Sequence, residues 1–316
     1  MMTKSKTIRW VLAHEPYDLF LRAAEKFSKD VAEKTKGQIN IEVMGLTDYV
    51  EKYNNGQPLD RYKIRELVDS GVIEMSQMYT TTLGLVDSDM FVLDMPFIFQ
   101  DHAHAARVLD GEIGQELMDS LANKSNIKGL AFTYSGGFRA IIGNRVIESV
   151  EDMAGMRVRV AHCPVAEDTM RAFGAEPVVM PIENLRDALG TKQVDSGEST
   201  YPRIYGMNQN ETASVINHTE HSLFLTTIIM NKGLWNELTL EQQQIFQEAA
   251  IAAAHIERAE SLEDIEITQK RAVEDGIQVN YLASNTQQQF KKSVDVVYDK
   301  YQDYFSNNLI SRIQNS

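Results

Sequence analysis

The amino-acid sequence predicts an α/β protein built from two lobes. Strand-like and helix-like segments alternate on both sides of Ser135, a pattern typical of α/β units that each pack around a core of their own. A single long helical pattern covers 239–275 and opens on the capping-box pair Thr239 and Gln242. At about 1.5 Å per residue such a helix is roughly 50 Å long. We therefore expect a brace helix that spans both lobes.

The first half of the chain supplies most of the first lobe. Apolar or alternating runs predict strands at 8–13, 39–43, 72–78 and 127–134. Apolar residues at helical spacing predict helices from Tyr17 to Gly37, at 59–70 and at 101–122. The segment 46–58 reads as a loop or a helical insertion, and 91–99 as an extended run around Pro96.

The second half repeats the alternation. Strands are predicted at 157–160, 177–180, 223–230 and 277–282, helices at 164–173, 182–189 and 287–305, and a turn-rich loop at 196–202. A short helix is predicted after Ser149, which has capping-box spacing to Asp152. We expect lobe I to comprise 7–135 plus 224–262, and lobe II 136–223 plus 263–310. Ligands of such folds bind at the carboxyl ends of strands, so a ligand cleft is expected between the lobes.

Composition limits the classes of partner. The chain is 43% hydrophobic and 24% charged, as in a soluble globular protein with a sizeable core. Its net charge is 31 − 45 = −14, which argues against nucleic acid as a partner. An anion site must then be built locally against the overall field. The single cysteine, Cys163, excludes an intrachain disulfide.

Two arginines in the stretch 134–160 are candidates for such an anion site. Arg139 follows Gly136-Gly137, where the backbone can bend and approach a ligand closely. Arg159 lies in the alternating run Arg157-Val158-Arg159-Val160, which predicts a short strand. A planar guanidinium binds a carboxylate with two parallel hydrogen bonds. The alternative, ordinary surface arginines, stays open on spacing alone.

Several polar side chains follow predicted strands closely, and we expect them near the same cleft. They are His14, Glu15, Tyr79, Tyr134 and Glu198. His102-x-His104 and His218-x-Glu220-His221 lack a third ligand at a zinc spacing, so no metal and no cofactor is expected. No sequence pattern supplies a base for Cys163 as a nucleophile.

The order of motifs along the chain resembles one protein family. The segments that show the resemblance are LAHEPYDLFLRAAEKF, VIEMSQM, LDMPFIFQDHAHAARVLDGEIGQEL, GFRAIIGNRVIESVEDMAGMRVRV, FGAEPVVMPIENLRDAL and VDSGESTYP. Together they resemble the substrate-binding proteins of tripartite ATP-independent periplasmic (TRAP) transporters, the DctP-like family, over nearly the whole chain. The resemblance implies a two-lobed periplasmic binding protein fold of a type II-like kind, with crossing strands and a long helix.

The resemblance also implies a function and a site. Members bind organic or sugar acids and deliver them to small and large membrane subunits. Arg159 matches the family's main carboxylate-binding arginine, and Arg139 matches the arginine of its G-x-R-x-x-x-x-N motif. Ser199 stands where the family usually has asparagine, and Gly197 where it usually has glutamine. The hydrogen-bonding groups near the cleft favour a sugar acid, such as a uronate or aldonate, over a simple dicarboxylate.

The expectation is thus a non-enzymatic periplasmic protein, monomeric, whose lobes close at 134–137 and 222–224. The start MMTKSKTIRW has no apolar segment of a signal peptide, and its doubled Met is followed at once by a strand-like run. We therefore expect that a signal peptide has been removed, and a native start in the cytoplasm is the alternative. One alternative is a ligand sensor of the same fold that signals to a membrane receptor. Another is an enzyme acting on a sugar acid, with Glu15 and Glu198 as its acid/base pair.

Overall fold

A computed structural model describes residues 5–14 and 16–316 of the chain. Its strands confirm the alternating and apolar runs of the sequence in most places. In chain order they are β1 Lys6–Leu12, β2 Ile39–Gly45, β3 Met75–Tyr79, β4 Ile127–Phe138, β5 Ala140–Gly143, β6 Arg157–Val160, β7 Glu176–Val179, β8 Ser196–Ser199, β9 Val215–His218, β10 Leu223–Asn231 and β11 Gln278–Tyr281.

The helices cover the amphipathic segments. They are α1 Tyr17–Lys34, α2 Leu46–Tyr53, α3 Ile64–Asp69, α4 Thr80–Leu83, α5 His102–Asp110, α6 Glu112–Lys124, α7 Pro164–Ala172, α8 Leu185–Gly190, α9 Tyr201–Gly206, α10 Lys232–Glu237, α11 Leu240–Glu274, α12 Ser284–Ser293, α13 Asp295–Tyr301 and α14 Leu309–Gln314. Short 3-10 helices lie at Arg61–Lys63, Ser88–Asp94, Val150–Met153, Ile182–Asn184, Gln209–Glu211 and Ser306–Asn308.

Two sheets form from the described strands, which confirms the predicted α/β class. One has the order β2-β1-β3-β10-β4 and the other the order β11-β9-β5-β8-β6-β7. In the first, β1 runs parallel to β2 and β3, while β10 is antiparallel to β3. In the second, β6 is parallel to β7 and β8, while β5 is antiparallel to β8 and β9. Parallel strands cannot be joined by a tight hairpin and need a crossover connection. Helix α1 connects β1 to β2, and α7 connects β6 to β7.

The contacts divide the chain into two compact units. Unit 1 holds the described part of Met1–Asp87 with Val108–Ser135 and Leu225–Glu260. Its core packs α1 and the first half of α11 against the first sheet, with Trp10, Phe27 and Phe246 fully buried. The ring of Phe27 packs edge to face against the rings of Trp10 and Phe246, at centroid distances of 5.2 and 5.4 Å.

Unit 2 holds Ser88–Arg107, Gly136–Phe224 and Ser261–Ser316. Its core lies around the second sheet and contains Ile142, Leu185, Tyr201 and Ile216. The sequence-based division places 88–107 in lobe I, whereas the contacts group this segment with unit 2. The reason is a set of bonds to unit 2, for example the Phe97 backbone N–H donating to the His221 carbonyl at 2.8 Å.

Several sequence expectations differ from the structure. The helix expected at 287–305 is two helices, α12 and α13, with Val294 between them. The run 91–99 is not extended, because Ser88–Asp94 is a 3-10 helix. The helix expected at 101–122 is two helices, since α5 ends and α6 begins around Gly111. The turn-rich segment 196–202 is instead the strand β8 followed by α9, whose second residue is Pro202.

Local capping and glycine predictions agree with the structure. Ser149 and Asp152 form a full capping box, and Thr239 and Gln242 exchange backbone-to-side-chain bonds at the start of α11. Gly136 and Gly137 have φ angles of 90° and 82°, which favour glycine. A Cβ at Gly136 would lie 2.5 Å from the Thr200 hydroxyl oxygen. The bend therefore requires glycine on both conformational and steric grounds.

Candidate functional site

The second sheet brings both candidate arginines of unit 2 to one edge. Arg159 lies one residue before the carboxyl end of β6 and pairs in register with Gly197 of β8. Arg139 directly precedes β5, whose first residue Ala140 pairs with Ser199 at the carboxyl end of β8. Because β5 is antiparallel to β8, its start and the end of β8 meet at the same edge. Residues far apart in sequence thus converge there.

Arg159 is held by backbone oxygens. Its Nε donates to the Met180 carbonyl at 2.8 Å, and its Nη1 donates to the Glu198 carbonyl at 3.4 Å. The residue is 5% exposed. Its neighbour Arg157, two residues away, instead pairs with the partly exposed Asp195, Nη2 to Oδ1, at 2.8 Å. The β-strand alternation placed both on one face, but only Arg159 is buried.

Arg139 has a carboxylate and an aromatic ring beside it. Its Nη2 lies 3.4 Å from Asp94 Oδ1, and both side chains are almost fully buried. The guanidinium carbon stands 4.0 Å from the centre of the Phe224 ring, a cation–π contact. The backbone N–H of Arg139 donates to the Ser222 carbonyl at 2.8 Å. Asp94 and Phe224 therefore hold the side chain, and Ser222 holds the backbone of Arg139.

Glu198 joins the two arginines electrostatically. Burial alone would raise the pKa of Glu198, but the charges of Arg139 and Arg159 and the hydrogen bond from His221 outweigh it, so the pKa is lowered. His221 Nε2 lies 2.8 Å from Glu198 Oε1, and His221 Nδ1 lies 2.8 Å from the Thr219 hydroxyl. Glu198 is thus an anion among cations, and it accepts from a positioned ring.

Asp94 behaves differently from Glu198. Burial raises the pKa of Asp94 to about 7, with the charge of Glu198 adding to the rise and that of Arg139 opposing it. The nearby thiol of Cys163 is fully buried, and that burial raises the pKa of the thiol well above its ordinary value, with the charge of Asp94 adding to it. We call Asp94, Arg139, Arg159, Glu198 and His221 the charged cluster.

Ser199 lies at the same sheet edge with its hydroxyl already engaged. Its Oγ donates to Gln209 Oε1 at 2.6 Å, and the residue is 2% exposed. Alternation along β8 places Ser199 and Gly197 on the opposite face from Glu198. A Cβ at Gly197 would lie 2.5 Å from a methyl of Leu185 and 3.1 Å from the Cβ of Arg159. The glycine therefore leaves room for the Arg159 side chain.

Unit 1 carries the other predicted side chains. The rings of His14 and Tyr79 lie with centroids 4.4 Å apart, and Phe20 packs edge-on against Tyr79 at 6.0 Å. Tyr134 is buried in β4, and its backbone N–H donates to Glu257 Oε2 at 2.6 Å. Glu15 lies outside the described residues. His14, Tyr79 and Tyr134 thus belong to unit 1, whereas the residues of the charged cluster belong to unit 2.

Sequence reasoning missed four residues of this region: Asp94, His221, Phe224 and Gln209. A sequence cue existed for Asp94, which is the one acidic residue inside the apolar run FVLDMPFIF. A buried acid in such a run needs a partner. His221 was considered only as a metal ligand, and its bond to Glu198 joins residues 23 positions apart. Neither Phe224 nor Gln209 has a local cue.

The histidines considered for metal binding have other neighbours. His104 is buried, with Nε2 2.7 Å from the Ile313 carbonyl oxygen and Nδ1 accepting from the Gln100 backbone N–H at 3.0 Å. His102 packs against Phe138, and His218 lies 3.2 Å from Glu220. Across 5–14 and 16–316, no group of three or more His, Cys, Asp or Glu side chains is arranged to hold a metal ion.

The geometry can bind an anion. Two guanidiniums, 3% and 5% exposed, lie at one sheet edge, and desolvated charge-assisted hydrogen bonds are stronger than those made in water.

The helices in the described ranges include none with the length and apolarity that crossing a membrane requires.

Known proteins resemble the chain along most of its length. Residues 13–304 match the model of the DctP family, bacterial extracellular solute-binding protein family 7. A solute-binding protein of Chromohalobacter salexigens is 27% identical over 280 residues, 89% of this chain and 80% of that protein. The C4-dicarboxylate-binding protein DctB of Bacillus subtilis is 27% identical over 296 residues, 92% and 81% of the two chains.

Solved structures agree with this. A TRAP periplasmic solute-binding protein of Pseudomonas putida F1 with bound D-glucuronate superposes with a TM-score of 0.86 at 26% identity, covering 98% of this chain and 97% of that one. One from Chromohalobacter salexigens, also with D-glucuronate, gives a TM-score of 0.85 at 25% identity, with coverages of 98% and 99%. The fold, the order of motifs and the family model agree, and the chain belongs to the DctP family of bacterial extracellular solute-binding proteins, family 7.

Proposed function

We propose that this protein captures a carboxylated small molecule, with sugar acids favoured, for a TRAP transporter. The observation that carries the proposal is the pair of buried guanidiniums, Arg139 and Arg159, at the carboxyl-end edge of one sheet. Because the chain carries a net charge of −14, an anion has to be bound by guanidiniums placed at its site.

Arg159 is the main carboxylate-binding residue in this proposal. Its Nε and one Nη are oriented by the Met180 and Glu198 carbonyls, which fixes the plane of the fork. Arg139 adds a second positive charge, and Ser199 adds a hydroxyl at the same edge.

The favoured ligand is a uronate or an aldonate. Two structural relatives hold D-glucuronate, while DctB of Bacillus subtilis is named for C4-dicarboxylates. A sugar acid presents hydroxyls beside its carboxylate, and His14, Glu15, Tyr79, Tyr134 and Glu198 are the polar side chains we propose to recognise them. Glu198 is an acceptor for a ligand hydroxyl in this scheme, because its ionised form is stabilised by the arginines.

Further parts of the proposal concern setting and partners. The protein acts in the periplasm as a monomer and passes its ligand to the small and large TRAP membrane subunits. It binds without chemical turnover and without a cofactor. A bound sugar acid that is recovered unchanged after hours of incubation is the expected result, and a converted product would point to an enzyme instead.

A thermal-shift screen tests the ligand class. The panel contains hexuronates, aldonates, sialic acid, C4-dicarboxylates and keto acids, with neutral sugars for comparison. A ligand at about 100 times its dissociation constant stabilises a protein by about 2.7 kcal/mol, which is several degrees at this size. Sugar acids are expected to give the largest shifts.

Arg159→Ala is the test variant and Arg157→Ala its matched control. Both remove an arginine from β6, but Arg157 is the partly exposed one. Loss of Arg159 is expected to weaken binding by about 2–5 kcal/mol, the range for truncating a buried charge pair. Binding of the best acid by Arg159→Ala within about threefold of wild type, which is under 1 kcal/mol, would exclude the arginine as the main carboxylate-binding residue.

A further inference from the structure

Asp94 is a buried carboxylate, and few neighbouring groups stabilise its negative charge. It ends the 3-10 helix Ser88–Asp94 and is 3% exposed. Its Oδ1 makes one long contact, 3.4 Å to Arg139 Nη2. Its Oδ2 is buried and, among the groups of 5–14 and 16–316, accepts no hydrogen bond. A carboxylate in this setting is poorly stabilised in its charged form.

The groups that face Asp94 come from several elements. Arg139, between β4 and β5, attracts its charge, while Glu198 on β8 repels it. The Cys163 thiol lies directly before α7, and the charge of Asp94 helps to raise the pKa of that thiol. His221, which is bonded to Glu198, lies in the loop before β10, and its carbonyl accepts from the Phe97 backbone N–H. Burial and Glu198 outweigh Arg139, and the pKa of Asp94 rises to about 7.

The charged cluster holds equal numbers of guanidiniums and carboxyl groups before a ligand binds. Two guanidiniums, Arg139 and Arg159, face two carboxyl groups, Asp94 and Glu198. Glu198 is held ionised by both arginines and by His221. A ligand carboxylate is then a third anion against two cations in a place with little water. Repulsion between like charges is much stronger in a desolvated site than in water. We therefore expect one of the three carboxyl groups to take up a proton and become neutral.

We propose that Asp94 is a proton-linked counter-ion of Arg139, which takes up a proton when the ligand carboxylate binds. The inference rests on the proposed function, because it needs a carboxylate beside the arginines. Before binding, ionised Asp94 holds Arg139 and competes with the ligand for it. On binding, a solvent proton joins an Asp94 carboxylate oxygen, the Asp94–Arg139 attraction is lost, and Arg139 is available to the ligand.

The linkage has a definite sign. Below the pKa of ligand-free Asp94 the residue is already neutral, so binding needs no proton and affinity is independent of pH. Above that pKa each bound ligand requires a proton, and affinity falls up to about tenfold per pH unit. The fall continues until the pH passes the still higher pKa of Asp94 in the complex.

Calorimetry in buffers of different ionisation enthalpy measures the protons taken up. The probe is D-glucuronate, replaced by the acid with the largest shift in the thermal screen. Wild type is expected to take up few protons at about pH 6 and close to one at about pH 8, with affinity lower by about tenfold at the higher pH. This measurement on the wild type stands even if a variant folds poorly.

Asp94→Asn keeps the shape of the residue and removes its charge and its titration. We expect it to bind with no proton uptake, with pH-independent affinity, and about tenfold more tightly than wild type at about pH 8. Asp195→Asn is the matched control, since it removes the carboxylate of an arginine pair outside the charged cluster. That control should keep the wild-type uptake.

Each contrary result overturns something definite. Acid binding by wild type without proton uptake excludes the inference and leaves the proposed function intact. Uptake that persists in Asp94→Asn also excludes it, because the proton then goes to another group such as His221 or Glu198. No binding of any acid by a folded wild type removes the proposed function, and the inference with it.

Discussion

Arg139 and Arg159 lie at the same edge of one sheet, yet the groups around them differ in kind. Arg139 faces the carboxylate of Asp94 and the ring of Phe224, whereas Arg159 donates to two backbone carbonyls. The charge of Glu198 acts on both arginines, so the difference lies in their direct contacts: Asp94 pairs with Arg139, and the two carbonyls orient Arg159. In the proposed function Arg159 is the main ligand-binding residue, and from these contacts we expect the loss of Arg139 to lower the stability of unit 2 more than the loss of Arg159 does.

The largest expected effect is on stability, from Arg139→Ala. Removing one partner of a buried ion pair leaves the other charge uncompensated and destabilises by about 3–5 kcal/mol. The loss should be smaller at about pH 5, where Asp94 is protonated, than at about pH 8, where ionised Asp94 would have lost its cation. Urea denaturation at both pH values measures this. The double variant Arg139→Ala with Asp94→Asn should recover part of the loss.

An equal loss of stability at both pH values would break the comparison. It would mean that Arg139 stabilises unit 2 through the Phe224 contact and packing, with no contribution from its attraction to Asp94.

The next effect is on binding, from Arg159→Lys. Lysine keeps the charge but cannot reproduce the fork that Met180 and Glu198 orient. We expect the affinity for the best acid to weaken by about 1.5–3 kcal/mol, the worth of a charge-assisted hydrogen bond. Calorimetry measures the affinity and thermal denaturation the fold. Should Arg159→Lys lower the melting temperature as much as Arg139→Ala does, the two arginines would not differ in the way proposed.

A smaller effect is expected from Ser199→Ala. The variant removes the hydroxyl that donates to Gln209 Oε1 at 2.6 Å and leaves a buried amide oxygen without that donor. A loss of about 1–2 kcal/mol of stability follows from the usual cost of an unsatisfied buried acceptor. If affinity falls while stability stays unchanged, Ser199 acts on the ligand directly and its bond to Gln209 is incidental.

The smallest effect is expected from Arg157→Ala. Arg157 shares β6 with Arg159, but its pair with Asp195 is solvent-exposed. Such pairs contribute little, and salt screens them. Affinity should match wild type, and any change in the melting temperature should shrink as sodium chloride is raised. A clear loss of affinity would show that position along β6, rather than burial, decides which arginine serves the ligand.

Local sequence patterns predicted the elements that local forces determine. The alternation in Arg157–Val160, the capping boxes at Ser149 and Thr239, and the extent of α11 depend on neighbours within a few residues. The run around Asp94 misled the prediction, because short apolar segments do not distinguish a strand from a helical turn that tertiary contacts bury.

The candidate site was predictable only in part for the same reason. Arg139 and Arg159 were found through the glycine pair, the strand pattern and the family motifs. Their buried partners were not, since Asp94 and Arg139 are 45 positions apart and Glu198 and His221 are 23 apart. Which charges meet is decided by the order of strands in the sheet, and a single sequence does not supply that order.

The discontinuity of the two units has a consequence for the order of synthesis. Unit 1 is completed by Leu225–Glu260 and unit 2 by Ser261–Ser316. A ribosome therefore finishes neither unit before it has translated Glu260. Until then the strands of the first sheet lack Phe246 and the alanines of α11 that fill their core. The growing chain therefore stays incompletely folded for most of translation, and the apolar residues of the first sheet lack their packing partners during that time.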